Sequence, residues 1–228
     1  MATTKLKISE RPGLDVMVAD GIRGKILSGD LECGAHLIEA EFAREFEVAH
    51  GTVRAAFKLL QGEGLVEYRP RRGMFVVSLE PDDVLELCSL RDSLETLGAK
   101  LAAQNATDAD RTKLKKLLDD LRKAVNRKDR RACIELDMAF HRFVVDLSGH
   151  KRLQQMYAQL EFQVRLFMVL TESFHSNLTD IMTLHEPLVS AIVSGDAQRA
   201  AMLSADHNKP DGEALAAALR AKDVRASA

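Results

Sequence analysis

Asp137 and His141 stand four residues apart in Glu135-Leu-Asp-Met-Ala-Phe-His-Arg-Phe-Val-Val. On a helix that spacing places both on one face. Ile134 and Val144 share that face, which turns the polar pair inward. His185 lies at helical spacing from Ile181, Leu188 and Ile192, and His207 from Ala200 and Leu203. Three helices would thus each direct a carboxylate or imidazole into one interior. One carboxylate with three neutral imidazoles suits a divalent transition metal ion (Zn²⁺, Ni²⁺, Mn²⁺ or Fe²⁺) and leaves one or two coordination positions open. Taken singly, a histidine on an apolar face is more often a hydrogen-bonded core residue. Such a set could also activate water, which would make the chain a metal-dependent enzyme acting on a small organic acid. No general base is evident beside the four, however. Arg91 lies on the stripe Val84, Leu87, Leu94, Leu101, so an inward guanidinium could hold an acid group bidentately. It could equally form a structural ion pair with Glu95.

A second chemistry is electrostatic. From His50 to Gly73 there are five cations (Arg54, Lys58, Arg69, Arg71, Arg72) against two anions. The whole chain has 32 Lys and Arg against 34 Asp and Glu, a formal charge of −2, so any nucleic-acid binding must be local. The elements around these cations explain them. Val16, Ile22 and Ile26 lie on a helix that stops at Gly29. A short helix over about 39–46, a break at Val48-Ala-His-Gly and a helix over about 52–61 follow. Strands at 65–68 and 74–77 flank the loop Arg69-Pro-Arg-Arg-Gly73. Helix, short helix, tight turn, helix and a basic-tipped hairpin are the layout of a winged helix-turn-helix. Its third helix offers its N-terminal residues to the major groove. Read alone, the basic loop could be only a solvated hairpin tip.

Nine of the thirteen glycines precede residue 79, and long helical periods follow it. We expect a winged helix-turn-helix domain over 10–78 and an all-α antiparallel bundle over 79–228. Helices are expected at about 82–104, 108–125, 129–147, 151–173, 178–194, 196–208 and 211–222, so the fold class is mainly α. Phe162, Phe167, Met168 and Phe174 read as ordinary core. Lys113, Lys115 and Lys116 read as a solvated helix face. No apolar run approaches the ~18 residues needed to span a bilayer. The N-terminus lacks a signal-peptide core, and Cys33, Cys88 and Cys133 form no CxxC pair. These features point to a cytoplasmic chain and away from a disulfide framework or thiolate zinc ribbon.

The N-terminal part strongly resembles the GntR family of bacterial transcription regulators. The matching runs are Ile26-Leu-Ser-Gly-Asp-Leu, Gly34-Ala-His-Leu-Ile-Glu, Phe42-Ala-Arg-Glu-Phe-Glu-Val48, Val53-Arg-Ala-Ala-Phe-Lys-Leu-Leu60, Glu63-Gly-Leu-Val and Pro70-Arg-Arg-Gly-Met-Phe-Val76. The resemblance implies DNA contacts from Arg44 on the second helix, from Thr52 and Arg54 on the recognition helix, and from Arg72 and Gly73 at the wing tip. His50 stands where the family usually has arginine, and Gly51 where it has a hydroxyl residue, which implies a divergent operator.

The C-terminal part resembles the FCD domain of the FadR branch of that family. Leu90-Arg-Asp-Ser-Leu-Glu95, Asp137-x3-His141, and His185, Ala191-Ile192, Gly195-Asp196, Ala200 and His207 carry the match. The resemblance implies Asp137, His141, His185 and His207 as metal ligands. It also implies a small carboxylate effector, a near-palindromic double-stranded operator and a homodimer. Departures are Leu184 at a usually acidic position, Pro187, expected to kink its helix, and His150 in place of a common asparagine.

Overall fold

The computed structural model describes residues 12–174, 178–205 and 207–226. The chain divides into two compact units, Met1–Ser78 and Leu79–Ala228. Residues 10 and 11, the Ser176-Asn177 loop and the Phe174 side chain lie outside the described residues.

The first unit runs α1 (Leu14–Ser28), β1 (His36–Leu37), α2 (Glu39–Glu45), α3 (His50–Gly62), β2 (Val66–Arg69) and β3 (Gly73–Val76). Helix α1 ends where Gly29 takes φ +83°, a left-handed cap that L side chains resist. It buries Val18, Ala19, Ile22 and Ile26, whereas Val16 is 37% exposed. Helix α3 buries Val53, Ala56, Phe57 and Leu60, the spacing of one helical face. Phe57 meets Phe42 of α2 edge to face, with ring centroids 5.7 Å apart. Arg23 of α1 forks onto Glu63 at the end of α3, with Nε donating to Oε2 at 2.8 Å and Nη2 to Oε1 at 2.6 Å. The wing is an antiparallel sheet in the order β1-β3-β2. Tyr68 pairs with Met74, and His36 with Phe75. Strand β1 is an element the sequence did not announce, since two residues give no periodicity.

The second unit is helical among its described residues: α4 (Pro81–Asn105), α5 (Asp108–Arg127), α6 (Arg130–Leu147), α7 (Lys151–Phe174), α8 (Thr179–Ser194), α9 (Ala197–Ser204) and α10 (Lys209–Ala226). Side-chain caps start several of them. Thr107 and Asp110 cap one another's backbone N–H groups at α5, Asp129 accepts from Ala132 N–H at α6, and Asp196 from Arg199 N–H at α9. His150 Nδ1 accepts from Leu153 N–H (3.2 Å) at the start of α7. Pro187 sits inside α8 without interrupting it, so the expected kink does not break the helix.

Two of this unit's apolar clusters involve α4 at either end. One joins Ala99, Ala102 and Ala103 of α4 to Leu114, Phe140, Leu188, Ile192 and Ala200. The other joins Val84, Leu87 and Cys88 of α4 to Met138, Val164, Phe167 and Leu215. Along α4 the residues between these clusters are Arg91 and Glu95, each 2% exposed. On α6, Asp137 and His141 fall in the same polar layer.

Glu47, exposed in the turn before α3, has φ +55°. A side chain in that region costs about 1–2 kcal/mol, part of which glycine returns as unfolded-state entropy. Glu47→Gly is expected to stabilise the protein by about 0.5–1 kcal/mol, read as a higher urea midpoint. An unchanged or lower midpoint would show that this turn is unstrained.

Candidate functional site

The N-terminus of α3 forms two residues earlier than the sequence suggests. Ala49 is the N-cap and makes no side-chain cap bond; His50 and Gly51 form the first turn, with Thr52 third. A Cβ on Gly51 would meet nothing within 4 Å, so sterics do not require glycine there. His50, Arg44 and Arg54 are exposed and Thr52 is half-buried. Arg54 is held by Glu39 of α2, with Nε donating to Oε1 at 3.0 Å and Nη2 to Oε2 at 2.9 Å. Its guanidinium holds the Glu39 carboxyl below the usual carboxylate range. Sequence reasoning overlooked Glu39, whose i+15 separation gives no local signal.

At the wing tip, Arg69 donates from Nε to Glu67 (2.8 Å) and lies 4.6 Å from the Phe75 ring centroid. Arg72 lies 5.4 Å from the same centroid. Gly73 has φ +100°, and a Cβ there would fall 2.9 Å from His36 Nε2. His36 in turn stacks on Phe75 at 4.7 Å. Glycine at 73 is thus required inside the unit, by the backbone and by His36.

In the second unit the structure brings Asp137, His141, His185 and His207 together. His185 Nε2 lies 2.8 Å from Asp137 Oδ1 and 3.2 Å from His141 Nε2; His141 Nε2 lies 3.6 Å from Asp137 Oδ2. The His207 ring centroid is 5.0 Å from that of His141 and 4.9 Å from that of His185. One ring nitrogen from each histidine falls within 4.8 Å of the others, and all three residues are buried. One expectation needs correcting. His207 is not helical: α9 stops at Ser204, Ala205 is extended (ψ 135°), and His207 stands before α10. Its spacing from Ala200 and Leu203 mimics a helix that has already ended.

The donor chemistry fits a cation. His185 Nδ1 donates to the Ile181 carbonyl at 2.7 Å, and His141 Nδ1 to Glu95 Oε2 at 3.0 Å. A carbonyl or carboxylate can only accept, which fixes the proton on each Nδ1. His185 Nε2 meets Asp137 Oδ1 at hydrogen-bond distance, and although burial opposes its charge Asp137 prevails and raises the His185 pKa; the His141 Nε2 lone pair faces both groups. One proton relieves one such contact; a divalent ion would relieve all of them. His207 Nδ1 is buried without a hydrogen-bond partner among the described residues. Burial, reinforced by His141 and His185, holds His207 well below its ordinary pKa, leaving it neutral. Burial pushes Asp137 up, but His141, His185 and Arg91 outweigh it and keep the carboxylate ionised.

Arg91 forms the ion pair with Glu95 and also lines the cavity. Nε donates to Glu95 Oε1 at 2.6 Å, while Nη2 lies 3.9 Å from Asp137 Oδ2 and makes no hydrogen bond among the described residues. Glu95 also accepts from the Tyr157 hydroxyl (2.8 Å) and Asn208 Nδ2 (3.2 Å). Asn208 is anchored a second time, its backbone N–H and Nδ2 donating to Asp92 Oδ1 at 3.0 and 2.7 Å. Burial acts against the charge of Glu95, but Arg91 and His141 prevail and its carboxyl lies well below the usual range. Sequence reasoning saw Glu95 only as an ion-pair partner and missed Tyr157, Asn208 and Asp92. A glutamate on an apolar stripe was the available signal.

A cavity of about 360 Å³ opens beside this layer, lined by Arg91, Asp137 and the three histidines and also by Phe167 and Met168. These last two, both on α7, are thus cavity wall as well as core. Lys113, Lys115 and Lys116 are exposed on α5, with Lys113 Nζ 4.2 Å from the Phe143 ring centroid.

A winged helix-turn-helix and a helical domain with a polar cavity, carried on one chain, define a class: transcription regulators with a DNA-reading module and an accessory helical domain. Sequence profiles make the assignment specific. Residues 14–76 match the bacterial regulatory proteins of the gntR family, and residues 86–209 match the FCD domain. The chain therefore belongs to the GntR family of bacterial transcription regulators, in its FadR-like branch with an FCD domain. The family comprises regulators, not enzymes. The chain is 29% identical over 183 residues to a probable D-xylose utilization operon transcriptional repressor of Paenarthrobacter nicotinovorans, covering 80% of each. It is 27% identical over 201 residues to the gluconate operon transcriptional repressor of Bacillus subtilis, covering 86% of this chain and 82% of that one. In fold it is similar to E. coli McbR/YncC (TM-score 0.74, 21% identity, 90% of this chain and 98% of that one). It is also similar to a putative GntR regulator from Rhodococcus sp. RHA1 (TM-score 0.72, 24% identity, 88% and 97%).

Removing one partner of a buried ion pair costs about 3–5 kcal/mol, because the other charge stays desolvated. Glu95→Ala is expected to lose that much stability in urea denaturation. The double variant Arg91→Met/Glu95→Leu should lose much less. Equal losses would mean that the Tyr157, His141 and Asn208 donors left without an acceptor, not the stranded Arg91 charge, set the effect.

Proposed function

We propose that this regulator is a cytoplasmic repressor, released from its operator by a small carboxylate that binds beside a divalent transition metal in the helical unit. The observation that carries the reading is the convergence of Asp137, His141, His185 and His207 on one cavity, with the unsatisfied Nη2 of Arg91 beside them. Those four residues would hold the ion, whose identity among Zn²⁺, Ni²⁺, Mn²⁺ and Fe²⁺ the donor set leaves open. Bound there, it supplies a Lewis-acidic centre with positions left for a ligand oxygen. The protein's part is to hold the donors. Ile181 and Glu95 fix two imidazole tautomers, and burial keeps His207 neutral. Arg91 would take the second edge of the carboxylate.

On the DNA side, Arg44, His50, Thr52, Arg54, Arg72 and Gly73 form the proposed reading surface. A homodimer would present two such surfaces to a near-palindromic operator. Release requires the carboxylate to bind the two conformational states with different affinities; tight binding alone shifts nothing. The named repressor relatives support the sign of the response.

The decisive experiment is elemental mass spectrometry of protein purified without a His-tag or chelator. About one transition-metal ion per chain is expected, and Asp137→Ala should lose it while keeping operator affinity in a mobility-shift assay. No ion after reloading would overturn the metal reading. Arg54→Ala and Arg72→Ala should each weaken operator binding about tenfold, as a lost charge-assisted contact of 1–3 kcal/mol requires, and leave metal content unchanged. Unaltered binding by both would remove them from the DNA surface.

A further inference from the structure

We infer that the effector of this chain is a monocarboxylate with an apolar body, aliphatic or aryl, and not a polyhydroxylated sugar acid. The inference rests on the carboxylate reading above and specifies what lies behind the acid group.

The cavity is built in two layers. Along α6, Ile134 precedes Asp137 by about one turn, and along α8, Ile181 precedes His185 by about one turn, or ~5.4 Å of rise. The N-terminal ends of these two helices lie together, since Cys133, Leu178 and Ile181 share one apolar cluster. The polar residues of both helices therefore form one layer and the apolar residues the next. Phe167 and Met168 of α7 extend the apolar side, both packing with Ile134.

At the polar end, two buried nitrogens lack a hydrogen-bond partner among the described residues, Arg91 Nη2 and His207 Nδ1. Arg91 is 2% exposed and His207 5%. A single carboxylate at that end gives the Arg91 nitrogen an acceptor. At the other end the wall is Ile134, Phe167, Met168, Leu178 and Ile181. None of these side chains offers a strong hydrogen bond. The other polar lining residues are Asn208, committed to Asp92 and Glu95, Thr183, which is exposed, and Asp211, which is half-buried on α10. A hydroxyl carried onto the apolar wall loses its water without replacement, whereas a methylene placed there is favourable. The size is adequate. A dry apolar cavity of about 150 Å³ accepts benzene, and this one is about 360 Å³.

The test uses the full chain loaded with Zn²⁺ and isothermal titration calorimetry. The probes are acetate, butyrate, hexanoate, phenylacetate, gluconate and hexanamide. Affinity is expected to rise about fourfold per added methylene from acetate to hexanoate, with an increasingly negative heat-capacity change. Hexanoate and phenylacetate should bind at least about tenfold more tightly than gluconate. Ile181→Asn and Met168→Gln should flatten the series by weakening hexanoate more than acetate. If those variants do not fold, the series on the natural chain decides alone. A flat series, or gluconate equal to hexanoate, would overturn the apolar body and leave the carboxylate reading intact. Hexanamide binding as tightly as hexanoate, or no acid binding at all, would overturn the acid group and with it the reading on which this rests.

Discussion

A single buried carboxylate, Glu95, ties together the elements of the helical unit that matter for its chemistry. It accepts from Arg91 on its own helix, Tyr157 on α7, His141 on α6 and Asn208 before α10. Its four acceptor sites are thereby used, which is the condition under which an ionised carboxylate can be held away from water. Several groups of the polar layer take their position from this one. His141 turns Nε2 toward Asp137 because its Nδ1 is committed to Glu95. His207 is held in place through its neighbour Asn208.

The polar layer lies between two apolar clusters, one at each end of α4. Without a ligand this is an expensive arrangement, because buried polar groups contribute favourably only when fully partnered. Arg91 Nη2 and His207 Nδ1 remain without a hydrogen-bond partner among the described residues. A core built only for stability would have continued Val84 and Leu87 into Ala99 and Ala102 with apolar residues. The interruption is local, sits beside the cavity, and is where a functional site trades stability for binding.

Much of this was legible in the sequence for a definite reason. Long helices with capping residues and few breakers announce themselves through period and punctuation, so α4 to α8 fall within a few residues of the expected bounds. Asp137 and His141 were legible because a four-residue spacing on an apolar face has few meanings. His207 was legible as a residue and misread as a helical one. Pro210, in the first turn of α10, was the sign that one helix ends and another begins there. Glu39, Tyr157 and Asp92 were invisible because their partners lie 15, 62 and 116 residues away, and nothing local encodes a tertiary contact. The start of α3 was misjudged because Ala49 caps without a side-chain bond, so the usual signature is missing.

The pairing of Arg54 with Glu39 changes how the winged-helix unit looks to a polyanion. Counted along the chain, residues 50–73 carry five cations. In the folded unit, Arg54 is neutralised by Glu39 and Arg69 by Glu67. The field presented to solvent is therefore weaker than the composition suggests. Each phosphate neutralised by a protein cation steepens the salt dependence of DNA binding by about 0.9 in logarithmic slope. A cation that must first leave a carboxylate adds little to that slope. On the proposed reading of Arg54 as a DNA contact, the surface is less sensitive to ionic strength than its arginine count implies, and more dependent on whether a given sequence offers Arg54 a better partner than the glutamate it already has.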